Sequence, residues 1–502
     1  MDNYTSLLII FSFVWFIFYL YKLISNSSKL TSNGNSRLPP GPKSVPILGN
    51  LLHLGDSPHR YLANLATTYG PLISVKFGSI TTIVVSSSAV AKEMFQKHDL
   101  TLSSRQVSAA VRSNGHDKFS VAWLPVCAKW RTLRKISAVQ LFSSQRLDAS
   151  QALRQEKVSE LMVHVKECCK TGEALDVGGV AFTTSLNLLS NTFFSFDLAN
   201  YTSSDTGEFK ELVWSIMKEI GKPNLVDCFP ILRFLSMFSV NNNLMGCGNK
   251  LNEVFEDIID KRLKSNGVCG NDGDVLDTLL RVMKENDSDL SLDDIKHLLM
   301  DFFTAGTDTT SSTLEWAMTE LLHNPEKMAT AQAELKQVLG ENKTIIGESD
   351  ISKLPYLQAI VKETLRMHPP TVFLLPRKAN NDVELYGYIV PKNAQIFVNL
   401  WAISRDPNHW VNPDLFSPER FMERDIDMKG QDFGLIPFGA GRRICPGDTL
   451  AFRMLNLMLG NLLHGFNWKV GDGIKPQDLD MSDKFGITIQ KAIPLRAIPL
   501  PK

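Results

Sequence analysis

The chain has 502 residues and balances 53 basic against 53 acidic side chains, so no net charge draws it toward nucleic acid. At 44% hydrophobic and 21% charged it has the composition of an ordinary globular protein, which excludes a disordered or fibrous one. Seven scattered cysteines, an odd number without a regular spacing, exclude a disulfide-stapled scaffold and point to reduced thiols in the cytosol.

The first element is apolar. Leu7 to Tyr21, LLIIFSFVWFIFYLY, carries no charge. With its flanks it reaches about 20 residues, enough to cross ~30 Å of hydrocarbon. No Lys or Arg precedes it, while Lys22, Lys29 and Arg37 follow. That asymmetry predicts a retained anchor over residues 1–24, with a lumenal N-terminus and a cytosolic body, in preference to a cleaved signal peptide. Residues 25–42 then form a polar tether, SNSSKLTSNGNS, and a proline-stiffened hinge, RLPPGP. Residues 43–502 show no internal linker or repeat and read as one domain. A cytosolic body leaves the sequon at Asn200 unmodified.

Within the body, Leu72–Ser87 gives two β-rich runs meeting at Gly78-Ser79, a hairpin signal. Between it and the next motif lie Arg105, Arg112, His116, Asp117 and Lys118, candidates for holding a charged substrate head. In WRTLRK, Trp130 and Arg134 are four apart and share a helix face, and Lys129, Arg131 and Lys135 offer a basic surface. Ser291, with Asp294 three residues on, caps a helix that runs to Pro325. Its middle, Gly306 to Thr313, is GTDTTSST, a small and polar run that a buried helix would avoid without a reason. Glu363 and Arg366 in ETLR stand three apart, as a surface ion pair would. Residues 383–400 return to strand character. After Cys445 the run TLAFRMLNLMLGNLLHGF is apolar all round and reads as a buried helix, with Pro446 suited to its first turn. The fold expected is mainly α, with small β-sheets near both ends.

Cys445 sits in IPFGAGRRICPG, residues 436–447. A helix N-terminus and two arginines favour thiolate. A buried structural cysteine, a nucleophile and a zinc ligand each leave Gly439, Gly441, Arg442, Arg443 and Phe438 unexplained. A thiolate axial ligand to haem iron accounts for them together: glycines let the loop lie against a flat macrocycle, and Arg443 can pair with a propionate.

FGAGRRICPG also fits the signature F-x-x-G-x-R-x-C-x-G, and on it the chain resembles the cytochrome P-450 superfamily. Three further motifs stand in that family's order: WRTLRK, AGTDTT, and ETLR followed by PERF. The resemblance implies the cytochrome P-450 fold, a long central helix over haem b (iron protoporphyrin IX), with Cys445 as the iron ligand. It places Ala305, Phe438, Gly439 and Gly447 against the haem, and Trp130, Arg134, Arg377 and Arg443 at its propionates. A widened turn at Ala305-Gly306 would receive O2, and Asp308 and Thr309 would deliver protons. Glu363, Arg366 and Arg420 would form a buried structural triad under the Cys445 loop. Electrons would come from NADPH through a separate membrane-bound cytochrome P-450 reductase docking on Lys129, Arg131 and Lys135, since no dinucleotide-binding fingerprint occurs here. The implied setting is the endoplasmic reticulum membrane.

The likeness is closest to the plant microsomal family of geraniol 8-hydroxylases and betalain-pathway tyrosine hydroxylases, and TVFLLPRKANNDVELYGYIVPKNAQIFVNLWAISRDPN resembles the latter branch. That implies 3-hydroxylation of tyrosine to L-DOPA, with further oxidation toward cyclo-DOPA. A wall of Phe119, Val121, Phe302, Phe303, Val372, Phe373 and Ile487 would instead suit a terpenoid such as a monoterpene alcohol. A haem-thiolate isomerase or dehydratase, which uses no O2, would tend to lose the intact Asp308-Thr309 pair. The stretch Phe234–Cys247 departs from the family, lacking its Asp-Pro and paired arginines.

Overall fold

Two six-residue runs, Leu72–Phe77 (β1) and Ile80–Val85 (β2), make the expected hairpin, with Gly78 left-handed at its turn (φ 60°). The computed structural model describes residues 38–502 apart from 202–203, 222–223, 230–241, 265–272, 286–289 and 341–342. Of the first 37 residues it describes only Phe11, Ser12, Val14, Trp15 and Tyr19. Ser104–Arg105 (β3), Arg377–Lys378 (β4) and Gln395–Val398 (β5) complete a five-stranded sheet in the order β1-β2-β5-β4-β3. β2 and β5 run parallel and the other pairs antiparallel. β-branched residues fill β2, and its last four positions are buried. The register sets Arg105 directly opposite Arg377.

Helices position the rest of the site. They are Ala128–Gln140 (α1), Val177–Phe194 (α2), Leu292–His323 (α3), Pro355–Met367 (α4) and Asp448–Gly465 (α5). The predicted capping box starts α3: the Ser291 hydroxyl accepts from Asp294 N, and Asp294 accepts from Ser291 N. The helix then runs unbroken for 32 residues, through Ala305-Gly306 where the sequence predicts a widened turn. Its hydroxyls explain how a polar run stays helical when buried. Thr307 Oγ1 donates to Phe303 O (2.6 Å), Thr309 Oγ1 to Ala305 O (2.7 Å) and Thr310 Oγ1 to Gly306 O (3.0 Å). Gly306 serves close packing: a Cβ there would lie 2.9 Å from Leu189 Cδ1 of α2.

α4 carries Glu363 and Arg366, both fully buried. The Arg366 fork grips Glu363 at 2.7 and 2.8 Å, and Arg420 Nε reaches the same carboxylate at 3.0 Å. Both arginines also donate to the backbone carbonyl of Leu415 (3.3 and 3.0 Å), so the triad ties the loop ahead of Cys445 to α4. The surface ion pair that ETLR alone suggests is thus a buried network. α5 begins at Asp448 with Gly447 as its cap, so Pro446 precedes the helix and does not enter its first turn. Residues Met454 to Leu463 are all buried.

Among the described residues no helix is long and apolar enough to cross a membrane. Most of the predicted anchor and tether, and most of 234–247, lie outside the described residues. The six described cysteines are free thiols.

Candidate active site

Between α3 and the Cys445 loop lies a cavity of about 350 Å³. The loop presents Phe438, Gly439, Cys445 and Gly447 to it, and α3 presents Ala305, Gly306 and Thr309 from the other side. Cys445 N donates to Phe438 O (2.9 Å), which curls the loop so that the sulfur faces inward. Gly439 and Gly441 are left-handed (φ 75° and 71°), and a Cβ on Gly441 would meet the Asp99 carboxylate at 2.6 Å.

The thiol's surroundings differ from the expectation. Burial pushes the Cys445 thiol up to about 11; a hydrogen bond from Gly447 N–H and the charge of Arg134 oppose this only in part. Arg442 is turned away, its Nε 3.1 Å from Asp99 Oδ2. Arg443 spends its guanidinium on the carbonyls of Ser103 (3.0 Å), Val121 (3.3 Å) and Leu124. The neighbouring cations therefore do not make the thiolate unaided. A metal ion bound at the sulfur would do so.

One edge of the cavity gathers Arg105, Arg134, Arg377 and Arg443. Arg443 lies 4.6 Å over the Trp130 ring, and Trp130 Nε1 donates to Val121 O (3.0 Å). Arg134 Nη2 donates to Ile444 O (2.6 Å). Arg377 Nη1 touches Asp99 Oδ1 (3.3 Å), but its buried Nε has no partner. Burial, followed by Arg377 and Arg443, holds Arg105 well below the usual arginine range. Burial and then Arg377 bring Arg443 down to about 10. Asp99 answers Arg377 alone; Arg105, Arg134 and Arg443 have no carboxylate ion pair among the described residues, and such a cluster of like charge is stabilised by a further anion. A flat dianionic macrocycle fits the requirement. These residues suit haem b: Cys445 would ligate its iron, and Arg134, Arg377 and Arg105 would face its propionates. Arg105 belongs to this cradle, whereas the sequence ranks it as a substrate residue; its signal is the strand pairing with Arg377.

Of the predicted substrate wall, Val121, Phe302 and Ile487 line the cavity. Phe119 does not: it stacks on His297 (5.1 Å) beneath the Lys129 ammonium (4.3 Å). Phe303 is fully buried among Phe193, Phe194 and Phe255, because neighbours on a helix point about 100° apart. Val372 is core, its carbonyl accepting from Leu400 N (2.8 Å). Phe373 stacks on Phe397 (4.9 Å) in an adjoining, mainly apolar cavity of about 130 Å³.

His116 is the other charged candidate that reaches the wall; Arg112 pairs with Asp227 (2.9 Å) and Lys118 is exposed. Beside His116 stands Asp301, which the sequence does not single out. Its signal is spacing, since 301, 305 and 309 share one face of α3. Asp301 accepts from Ser120 Oγ (2.7 Å) and Val121 N (2.8 Å) and lies 2.9 Å from His116 Nε2. His116 Nδ1 meets His297 Nδ1 at 2.7 Å, and burial and then His116 bring His297 down to about 4. Asp308 and Thr309 part company. Thr309 faces the cavity, while Asp308 is buried behind it and held by Thr488 Oγ1 and Gln490 Nε2. On the opposite surface Arg131 and Lys135 are exposed, but Lys129 is taken by Asp294 (2.7 Å).

Comparison with known proteins agrees with this geometry. A family model described as Cytochrome P450 matches residues 39–495. A cytochrome P450 monooxygenase of Lophophora williamsii, 76AD131, is 72% identical over 100% of both chains. Cytochrome P450 76AD1 of Beta vulgaris is 57% identical over the same full span. A geraniol 8-hydroxylase of Catharanthus roseus is 52% identical over 96% of each chain. Among solved structures, a zebra fish cytochrome P450 with abiraterone is 25% identical with a TM-score of 0.73, covering 89% of this chain and 100% of that one. Matched almost end to end, and carrying the cysteine and the cationic cradle that such a cofactor needs, the chain belongs to the cytochrome P450 family and is a haem-dependent monooxygenase.

Proposed function

We propose that this chain hydroxylates the tyrosine ring at position 3, giving L-DOPA. It takes its electrons from NADPH through a cytochrome P450 reductase at the endoplasmic reticulum membrane, held there by residues 1–24. The observation that carries the substrate is the Asp301–His116 pair, the one carboxylate–imidazole pair among the residues that line the cavity. A zwitterionic amino acid needs polar partners inside an apolar pocket, and a terpene does not. Full-length similarity to the 76AD cytochromes supports the same reading. The exposed pair Arg131 and Lys135 supports an acidic redox partner.

Haem b, when bound, activates O2 and transfers one oxygen atom to the substrate. The chain's own residues do the rest. Cys445 holds the iron, and the arginine edge neutralises the propionates. Phe302, Val121 and Ile487 press the ring into place and exclude water. Thr309 donates its hydroxyl proton to Ala305 O, which leaves its oxygen lone pairs to accept from water at the cavity face.

A second reading, hydroxylation of a monoterpene alcohol, is favoured by the apolar remainder of that wall and by the geraniol 8-hydroxylase relatives. The full-length chain, reconstituted with reductase and given tyrosine and geraniol in parallel, decides between them. L-DOPA is the expected product. Geraniol hydroxylation with no L-DOPA would overturn the substrate and leave the monooxygenase in place.

A further inference from the structure

We propose that Thr488 is a positioning residue for proton delivery, its hydroxyl joining the buried Asp308 carboxyl to the cavity. The inference rests on the monooxygenase chemistry and not on the choice of substrate.

Asp308 cannot act on the cavity directly. It is 1% exposed and absent from the wall, and both of its oxygens are spoken for: Thr488 Oγ1 donates to Oδ2 and Gln490 Nε2 to Oδ1. Thr488 and Gln490 alternate along extended chain, so their side chains leave the same face and clamp one carboxyl group. Only one of the two reaches the cavity, and that is Thr488. The segment is stitched down on three sides. Ile487 N donates to Met217 O (3.1 Å), Ile489 N to Pro370 O (2.8 Å) and Ser312 Oγ to Ile489 O (2.9 Å). Such fixing holds Thr488 on the wall and Asp308 behind it. Thr309, the hydroxyl on the other side of the acid, has its own proton committed to Ala305 O.

The transfer balances as one proton with no change of oxidation state. Before the transfer the Asp308 carboxylic acid donates to Thr488 Oγ1 and the Thr488 hydroxyl donates to an acceptor oxygen in the cavity. That hydroxyl proton passes to the acceptor as the acid proton passes to Oγ1, which leaves Thr488 donating to the Asp308 carboxylate as the structure shows. The carboxylate left behind takes its next proton from solvent when the half-buried Gln490 side chain turns away from Oδ1. Burial favours the acid form at Asp308, while the bonds from Thr488 and Gln490 and the charge of Lys210 favour the anion. Lys210 reaches over from the helix Ser204–Gly221; two turns down α3 stands Glu315, which Lys210, Asp176 and Lys491 face in turn.

Thr488→Val keeps the shape of the side chain and removes the hydroxyl. In the haem-loaded full-length enzyme with its reductase, we expect haem content and the substrate-induced spectral shift to stay as in wild type. Product per NADPH should fall roughly tenfold with peroxide rising to match, and the pH profile of coupling should shift. Thr488→Ser should restore both. The ratio is read with whichever of tyrosine or geraniol is turned over, so loss of the tyrosine reading leaves the test intact. An infrared readout stands apart from turnover: the carboxyl band assigned to Asp308 by its loss in Asp308→Asn should move in Thr488→Val and return in Thr488→Ser. A band that moves while coupling is unchanged would make Thr488 a mere cap, and a band that does not move would remove the bond itself; either overturns the inference. Should the valine variant fail to hold haem, Thr488→Ala is read the same way. Failure of both would show the side chain to be structural and also end the inference.

Discussion

Glu315 of α3 shows how burial sets the chemistry of a single residue. One carboxylate oxygen accepts from Leu495 N at 2.7 Å, and burial raises its pKa from 4.5 to about 7. A raised folded-state value means that its contribution to stability is complete below the unfolded pKa and is lost as pH climbs through about 7. Going from about pH 5 to about pH 8 should therefore cost wild type up to roughly 3 kcal/mol that Glu315→Gln does not lose. Thermal unfolding of the two proteins across that range checks it; parallel curves would refute it. At Cys445, replacement by serine should abolish both the thiolate-type carbonyl spectrum and the activity, because an alcohol oxygen donates less charge to iron than a thiolate. A surviving thiolate-type band would overturn the ligand assignment. Single residues were legible where a motif pins them: Cys445, Glu363, Arg366 and Arg420 stand where the pattern puts them. Arg105 and His116 were named from the sequence as candidates, but Asp301 and their grouping were not legible, because only folding brings residues 105, 116, 301 and 377 to one cavity.

At the scale of the element, the triad joins α4 to the loop that leads to the haem ligand. Arg366 carries a planar fork that meets both Glu363 oxygens and three backbone carbonyls besides, those of Ser404, Pro413 and Leu415. Lysine presents a point charge and cannot copy that pattern. Arg366→Lys keeps the charge but strands buried carbonyls, which should cost about 1–3 kcal/mol and loosen the Cys445 loop. Haem retained per folded protein and the denaturation midpoint measure this together; a variant that loses neither would show the network to be dispensable. Periodicity and caps made α3, the hairpin and the final buried helix plain in the sequence. Facing was harder. Phe302 and Phe303 are adjacent and chemically alike, and their division between cavity and core depends on how α2 packs against α3. The close contact of Gly306 with Leu189 was hidden too, since the same small residue serves a widened turn or a close helix contact equally well.

For the whole molecule, every residue that lines the cavity lies beyond residue 100, while the apolar span lies before residue 25. Removing residues 1–24 should leave a haem-binding, reductase-competent protein that needs less detergent to stay in solution. A truncated protein unable to hold haem would refute the separation of anchor from body. One feature of the sheet bears on how such a chain is put together. Arg105 and its partner strand lie some 270 residues apart in sequence and meet as a like-charged pair. During synthesis the first strand emerges long before the second, and when they meet Asp99 answers Arg377 but not Arg105. Closing of this sheet edge should therefore come late, and an anionic cofactor among the arginines should favour it. Newly made protein without haem should display Arg105 on a frayed edge, where trypsin cuts it early and loaded protein resists. The arginine cradle would then double as a checkpoint on biogenesis, exposing unloaded chains to proteolysis before they accumulate.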